Sequence, residues 1–397
     1  MYLSREEEKI LNGEYGDGYR EAMEILVSIG DIYNAERLVP VSSVQVAGVS
    51  YKTARDAVIV YLKHLISSGA KVCVPTFLNP SGIDSDNWRI MGVTREFAEK
   101  QELIISLFRR LGIYESCTCT PYFAGLIASK GEHLAWSESS AVVFANSYFG
   151  ARTNREGGPS ALSAALIGKT PLYGLHLHEN RYPTVRIICN FDKPLSYTDI
   201  GVLGLCAGRV LGTEIPVFEN LEIISVISHK MLSAGLGASG AVALYHIKGI
   251  TPEQDLCENA EIEEKIEIGW KDVQGIYDEY DADNPSLIVT GCPHANIDDL
   301  KYIAKKLRNK RVTTQFWIFT SHQVKSLAER MGYVDIIEQA GGRVFSDTCP
   351  VVAPIEDRFS VIMTDSAKAA NYLPSMANAL VKIADIDSCI EEAVKDV

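Results

Sequence analysis

Leu287-Ile288-Val289-Thr290-Gly291 runs straight into Cys292-Pro293-His294, and Arg343-Val344-Phe345-Ser346-Asp347-Thr348 runs straight into Cys349-Pro350. Both runs have the apolar, β-branched character of a buried strand, and both end on a Cys-Pro turn. The pattern around them alternates. Residues 286–290 read as a strand, 296–307 as a helix, 313–319 as a strand and 321–331 as a helix. Strands at 343–345 and 360–363 and a helix over 367–383 complete the series. Strands alternating with helices predict an α/β fold, with a mainly parallel sheet covered on both faces. Ligands of such sheets gather outside the carboxyl ends of the strands, where Cys292 and Cys349 both fall.

Upstream the signals are more scattered. Helical spacing of apolar residues marks 21–29 and 95–111. Strands are expected over 39–49, 71–75, 141–145, 185–189 and 241–247. Gly157-Gly158-Pro159-Ser160 opens a helix over 161–167, with proline near the start where its missing N–H does little harm. A further helix spans 197–211, and a charged helical stretch, 258–280, links two parts. We place a domain boundary near residue 282, giving an α/β region 1–281 and an α/β lobe 282–397.

The bulk numbers narrow the classes. The chain has 397 residues, 47% hydrophobic and 22% charged, with a formal net charge of −13. A surface that acidic argues against nucleic-acid or anionic-membrane partners. An anionic substrate then needs local Arg and Lys. The start of the chain lacks the apolar core of a secretory signal, and no apolar run reaches the ~18 residues of a membrane span. A cytoplasmic protein is expected. Its nine cysteines then read as buried hydrophobes or metal ligands rather than disulfides. No C-x-x-C pair indicates a zinc ribbon or a thioredoxin motif. Cys292, Cys349 and Cys119 (in Thr118-Cys119-Thr120-Pro121-Tyr122) are the candidate ligands, with Cys117 as an alternative to Cys119. The plain alternative is that all are core. Cys73, Cys189 and Cys206 look like packing positions, and Cys257 and Cys389 lie in polar helical surroundings.

The densest polar stretch is 135–163. It holds Trp136-Ser137-Glu138-Ser139-Ser140, then Asn146, then Gly150 through Gly158 with Arg152, Asn154 and Arg155. Glycines opening a helix present backbone N–H groups to a carboxylate or phosphate, and Arg adds bidentate recognition. A second polar cluster combines Gly48, Ser50 and Lys52 with Thr76 and Asn79. Ordinary strand-to-helix loops are the competing reading for both. His133, His176 and His178 are weaker candidates.

Taken together, Thr118 to Tyr122, Trp136 to Val142, Gly150 to Ser160, Gly48 to Lys52, and Ala367-Lys368 with Tyr372-Leu373-Pro374 resemble the aconitase X family over essentially the whole chain. The resemblance implies an aconitase-like α/β fold and a hydro-lyase carrying an iron–sulfur cluster, with [4Fe–4S] favoured. It maps Cys119, Cys292 and Cys349 onto the cluster-ligand positions, without the C-x-x-C pair of better-known aconitases. The family has fused members, commonly cis-3-hydroxy-L-proline dehydratases. Its split, archaeal-type members, some acting on 5-phosphomevalonate, carry the swivelling domain on a second chain. No swivelling domain fits after the last predicted helix here. The expected partner is therefore a small subunit bearing that domain, in a heterodimer or a dimer of heterodimers. The family's base is a serine on the swivelling domain. Glu138 and Ser139 are the catalytic candidates in this chain. Gly48, Ser50, Lys52, Thr76, Asn79, Asn146, Arg152, Asn154 and Arg155 are the candidate contacts to an anionic small molecule. A non-catalytic, iron-responsive binding protein is the reading from another class.

Overall fold

Three parallel sheets carry the chain, one in the expected lobe 282–397 and two in the region 1–281, beside a two-stranded antiparallel pair, Leu38–Pro40 with Lys169–Pro171. The structure is a computed structural model and describes residues 1–223 and 225–395. In the first sheet β1 (Val44–Val46) lies between β2 (Thr76–Leu78) and β3 (Ala135–Trp136). The helices around it include α1 (Tyr51–Ser67), α2 (Arg95–Arg110), α3 (Ser139–Phe144) and α4 (Gly158–Ile167). The second sheet comprises β4 (Val185–Asn190), β5 (Pro216–Glu219), β6 (His246–Ile247) and β7 (Lys265–Gly269), in the order β6-β5-β4-β7. It is covered by α5 (Tyr197–Leu211) and α6 (Val226–Ser239). The third sheet runs β10-β9-β8-β11-β12, from β8 (Leu287–Ala295), β9 (Gln315–Thr320), β10 (Arg343–Ser346), β11 (Val361–Thr364) and β12 (Leu380–Ile383). α7 (Ala367–Met376) joins its last two strands.

The opening stretch of the sequence explains the third sheet. All of β8 is buried, as a central strand with both faces covered must be. Its side chains alternate between two cores. Leu287 and Val289 enter the one shared with Leu203 and Leu373, and Ile288 the one with Leu300, Ile303 and Phe316. Gly291 then turns the strand with φ +89°, and a Cβ there would lie 2.0 Å from the Phe319 carbonyl oxygen. Only glycine fits, and it delivers Cys292 next. α5 and α6 also approach closely: a Cβ on Gly235 would lie 2.2 Å from the Gly201 oxygen.

Several elements differ from the sequence reading. The 141–145 strand is the helix α3, which continues as a wider π-helical turn over Ala145–Phe149. Ala-Val-Val-Phe-Ala is apolar all round, so periodicity does not separate buried strand from buried helix. Residues 258–280 hold β7 and the helix Trp270–Glu279 rather than one helix. The helix from 367 stops at Met376, and Asn378, at φ +53°, turns the chain into β12. The strand expected at 71–75 falls later, at Thr76–Leu78, which leaves Cys73 exposed and outside any strand. Helices Tyr51–Ser67, Val226–Ser239 and Tyr333–Gln339 were not anticipated, and Ile386–Val394, where polar helical surroundings were expected, buries Cys389 completely. Among the described residues no helix is long and apolar enough to cross a membrane.

Candidate active site

The carboxyl ends of the first and third sheets face each other, and the candidate cysteines meet between them. Thr118 is fixed at the end of β2 by its N–H on the Leu78 carbonyl (2.9 Å), and Gln45 of β1 donates to the Thr118 carbonyl (2.9 Å). Cys119 follows. Cys292 lies near the end of β8 and Cys349 just past β10. All three are buried, and each thiol is within Coulombic reach of the others.

His294 ties the three cysteine loops together. Its backbone N–H donates to Cys119 Sγ (3.2 Å), its Nδ1 meets the Thr118 hydroxyl (3.0 Å), and its Nε2 meets the Thr348 carbonyl (2.8 Å). A carbonyl only accepts, so Nε2 carries the proton and Nδ1 accepts from Thr118. The ring is neutral, and burial pushes its pKa down to about 4. Nothing in the sequence singled out His294 beyond its place after a Cys-Pro turn. Cys117 is also buried, but in the core under the first sheet, and its electrostatic neighbours are Asp347 and Glu115 rather than the other thiols. Cys119 is therefore the member of the pair that joins Cys292 and Cys349.

Burial raises all three thiol pKa values, Cys119 to about 12. Left to themselves these groups stay neutral. They ionise when a metal centre receives them. Among the described residues, no three His, Cys, Asp or Glu side chains are grouped closely enough for a single metal ion. A cluster attaches its thiolates to different irons and so spreads them wider than one ion does. Two buried hydroxyls beside the thiols also lack a partner, Tyr122 Oη and Thr348 Oγ1. Donors of this kind suit the sulfides of a cluster. The donor set fits an iron–sulfur centre.

A buried ion pair closes one side. Glu138 caps α3, accepting from the Ala141 N–H (2.8 Å) and the Ser140 hydroxyl (2.6 Å). Lys368, in the first turn of α7, binds Glu138 and lies 3.2 Å from Ser140 Oγ. Burial alone would raise the Glu138 pKa; the ammonium and these donors bring it below the ordinary value. Ser366, the N-cap of α7, donates its hydroxyl to the Cys292 carbonyl. Lys368 appeared in the sequence only as part of a family-like string. Its site role depends on a contact 230 residues away.

The other predicted residues divide. Ser50 donates to the Val352 carbonyl (2.9 Å), and Lys52 to the carbonyls of Val351 (3.4 Å), Ala353 (3.0 Å) and Met376 (2.5 Å). Both clasp the loop that carries Cys349. Gly48, at φ +77°, is exposed with open space before it. Its neighbour Ala47 packs on Gly158, where a Cβ would lie 2.8 Å from the Ala47 oxygen. Asn79 follows β2, bonds Val46 through its N–H (2.9 Å) and keeps a buried Oδ1 unpaired. Arg155 is exposed and donates Nη2 to the Val242 carbonyl (3.0 Å), while burial lowers its pKa, with Glu138 and Tyr372 nearby. Ser139 sits beside Glu138 (Oγ to Oε1 3.4 Å).

The rest lie elsewhere. Thr76 is inside β2 and bonds Val74. Asn146 braces Thr153 and Ala243. Asn154 braces Tyr173 and Leu175. Arg152 donates to the His176 carbonyl (2.8 Å) and approaches His178, away from the cysteines. Their amide and guanidinium groups are engaged in holding the loop's own shape.

Known proteins share this fold. Residues 1–179, 183–278 and 285–395 match the first, second and third domains of aconitase X. The phosphomevalonate dehydratase large subunit of Methanocaldococcus jannaschii is 47% identical, over 98% of this chain and 100% of that protein. The protein of that name in Methanothermobacter thermautotrophicus is 48% identical, over 95% of this chain and 94% of its own length. A crystal structure of Thermococcus kodakaraensis aconitase X in its holo form superposes with a TM-score of 0.93 at 45% identity, covering 99% of this chain and 100% of that one. The fold and the site thus define an aconitase-like enzyme of the hydro-lyase class. The chain belongs to the aconitase X family. Membership implies an iron–sulfur centre, and Cys119, Cys292 and Cys349 are the buried thiols that this structure gathers in one place.

Proposed function

We propose that this chain is the large subunit of a phosphomevalonate dehydratase. With a small partner subunit it removes water from (R)-5-phosphomevalonate to give trans-anhydromevalonate 5-phosphate, in the cytoplasm. The observation that carries the reading is the meeting of Cys119, Cys292 and Cys349, with Arg155 near Glu138, in a chain nearly half identical to large subunits of that name. Cys119, Cys292 and Cys349 would hold a [4Fe–4S] cluster, which would supply Lewis-acid chemistry at the leaving hydroxyl.

The chain's own residues do the rest of the binding. Arg155 and the N-terminus of α4 at Gly157-Gly158, with Gly48 beside them, offer an anion-binding wall. That wall suits a substrate with a phosphate and a carboxylate better than a zwitterionic hydroxyproline. Glu138 is held by Lys368, Ser140 and Ala141, and His294 by Thr118 and Thr348. Neither is free to take the proton alpha to the carboxylate. That supports a base, a serine, on the small subunit.

The test is anaerobic co-expression with the small subunit and assay on 5-phosphomevalonate and cis-3-hydroxy-L-proline. Turnover of the first alone is expected. Turnover of the second alone would reassign the chain to the hydroxy-acid branch. A cluster-loaded complex that turns over neither and binds RNA would make it a sensor.

A further inference from the structure

We propose that Lys52 is a positioning residue of the three-cysteine site: with Ser50 it pins the turn that carries Cys349, and so fixes where the third thiol stands before a cluster is loaded. The inference rests on the assignment of Cys119, Cys292 and Cys349 as the ligands of an iron–sulfur centre.

Cys349 has less regular structure around it than Cys292. Cys292 is part of β8, a fully buried strand. β10 ends at Ser346, and no helix or strand follows until β11 begins at Val361. Cys349 stands in that irregular stretch. Its turn closes through the Ala353 N–H on the Cys349 carbonyl (3.0 Å). The next three carbonyls are all held from the start of α1. Val351 and Ala353 accept from the Lys52 ammonium (3.4 and 3.0 Å), and Val352 accepts from the Ser50 hydroxyl (2.9 Å). Ser50 also caps α1 by accepting from the Lys52 N–H (3.2 Å), so the two residues act from one fixed point. The approach to Cys349 is tied to the first sheet as well, by the Ser81 N–H on the Asp347 carbonyl (2.8 Å) and the Ser346 N–H on Asp84 Oδ2 (2.9 Å).

Lys52 has a second hold. Its ammonium binds the carbonyl of Met376 (2.5 Å), the last residue of α7. Carbonyls at a helix C-terminus have no partner within the helix and carry the negative end of its dipole, so an ammonium suits them. The other end of α7 starts at Ser366, whose hydroxyl is bonded to the Cys292 carbonyl. One buried side chain thus ties the Cys349 turn to the helix that steadies Cys292. Glu356 lies 3.1 Å from the ammonium, but its side chain is 41% exposed and remains solvated. The partners of Lys52 are mainly main-chain oxygens of one turn and one helix end. Such a lysine holds a shape rather than balancing a buried charge.

The test reads Cys349 directly. The full chain is prepared free of metal, kept reduced and treated with iodoacetamide, and the alkylation rate of each cysteine is followed by peptide mass spectrometry. Loss of a charge-assisted bond raises the open population of a local turn about ten-fold or more. Lys52→Met should raise the Cys349 rate by that factor and leave Cys389, buried in the core of the third sheet, at its parental rate. The substitution leaves only the exposed Glu356 without its charged partner, so the chain folds, and a thermal melt checks it. Ser50→Ala removes one neutral bond and should give a smaller rise, confined to Cys349; it decides the question if Lys52→Met does not fold. Lys52→Arg should restore most of the protection, and Glu356→Gln should match the parent. After anaerobic reconstitution, Lys52→Met should lose iron to a chelator about 10–100-fold faster than the parent, as for loss of an outer-shell partner. A Cys349 rate at the parental value, or one that rises only in step with Cys389, would overturn the proposal and leave Lys52 as a general clamp. Full iron retention in Cys349→Ser would overturn the three-cysteine reading itself, whatever the alkylation rates, and the proposal would fall with it.

Discussion

The Cys-Pro turns of the third sheet and the glycine-rich loop 150–158 are equally dense in chemistry-bearing residues, but their polar atoms end in different places. In the loop, Arg152 and Asn154 hydrogen-bond to backbone within the same domain, and the neighbouring Asn146 bonds both Thr153 and Ala243 of the next domain. Around the cysteines the bonds run between sheets: His294 to Thr118, Lys368 to Glu138, Ser50 to Val352. Some polar atoms there have no partner at all, as with Tyr122 Oη and Thr348 Oγ1. Internal satisfaction marks a loop that maintains its own shape. Inter-sheet bonds and unpaired buried atoms mark a place prepared for something else. Arg155 reaches out of the loop's own domain, donating to the Val242 carbonyl (3.0 Å) with Glu138 nearby.

The sharpest break of this contrast is at the thiols. Cys292→Ser should lose most of the iron and acid-labile sulfide of anaerobically purified protein, whereas Cys206→Ser, on α5, should lose none. Iron analysis of the two proteins decides it, and full retention in Cys292→Ser would place the centre elsewhere. Gly291→Ala comes next. An alanine there meets the Phe319 carbonyl at 2.0 Å and must hold φ +89°. Overpacking and backbone strain each cost about 1–3 kcal/mol, so a loss of about 3 kcal/mol or more is expected in denaturant melts of the metal-free chain. A change under 1 kcal/mol would mean that the turn before Cys292 is soft.

How much of this was legible before the structure depends on the range of each signal. The strand at 287, the helix starting at Asn296 and the strand at 343 announce themselves through local periodicity and caps, and the structure has them. Cys292 and Cys349 were visible because each follows such an apolar run, although β8 continues past Cys292 to Ala295. The division into three parallel sheets was not visible, since strand order is fixed by packing between distant segments. Lys368 and His294 escaped for the same reason. Lys368 reads as an ordinary helix-surface lysine until Glu138 is set against it. Arg152 misled in the opposite direction: its chemistry suits an anion, but the His176 carbonyl already engages it.

Arg155 and Arg152 test the loop directly. A charge-assisted hydrogen bond is worth roughly 1.5–3 kcal/mol, so Arg155→Ala should raise KM for 5-phosphomevalonate about ten-fold or more with iron content unchanged. Arg152→Ala should leave KM alone and lower the melting temperature, because it removes a bond to His176 and nothing from the cleft. Equal KM effects in the two variants would return the whole loop to the substrate site.

The smallest effect belongs to the histidine pair behind Arg152. His176 is 1% exposed, its Nδ1 lies 2.9 Å from Nδ1 of His133, and its Nε2 has no partner. Burial, with His133, Arg181 and Arg152 around it, pushes its pKa from 6.5 down to about 3. The folded chain therefore refuses a proton that the unfolded chain accepts. Stability from this site is complete above pH 6.5 and is lost as the pH falls from there towards 3. One pH unit inside that window costs about 1 kcal/mol, a shift of roughly 1–2 °C in the melting temperature of a chain this long. His229 and His294, whose pKa values are both lowered to about 4, add acid sensitivity of their own. The measurement is thus a difference: melting temperature against pH for the parent and for His176→Gln. The variant should start lower at pH 7 and fall less steeply between pH 6.5 and pH 5. Parallel curves would show that His176 takes up its proton in the folded state, and that the pair it forms with His133 opens to water.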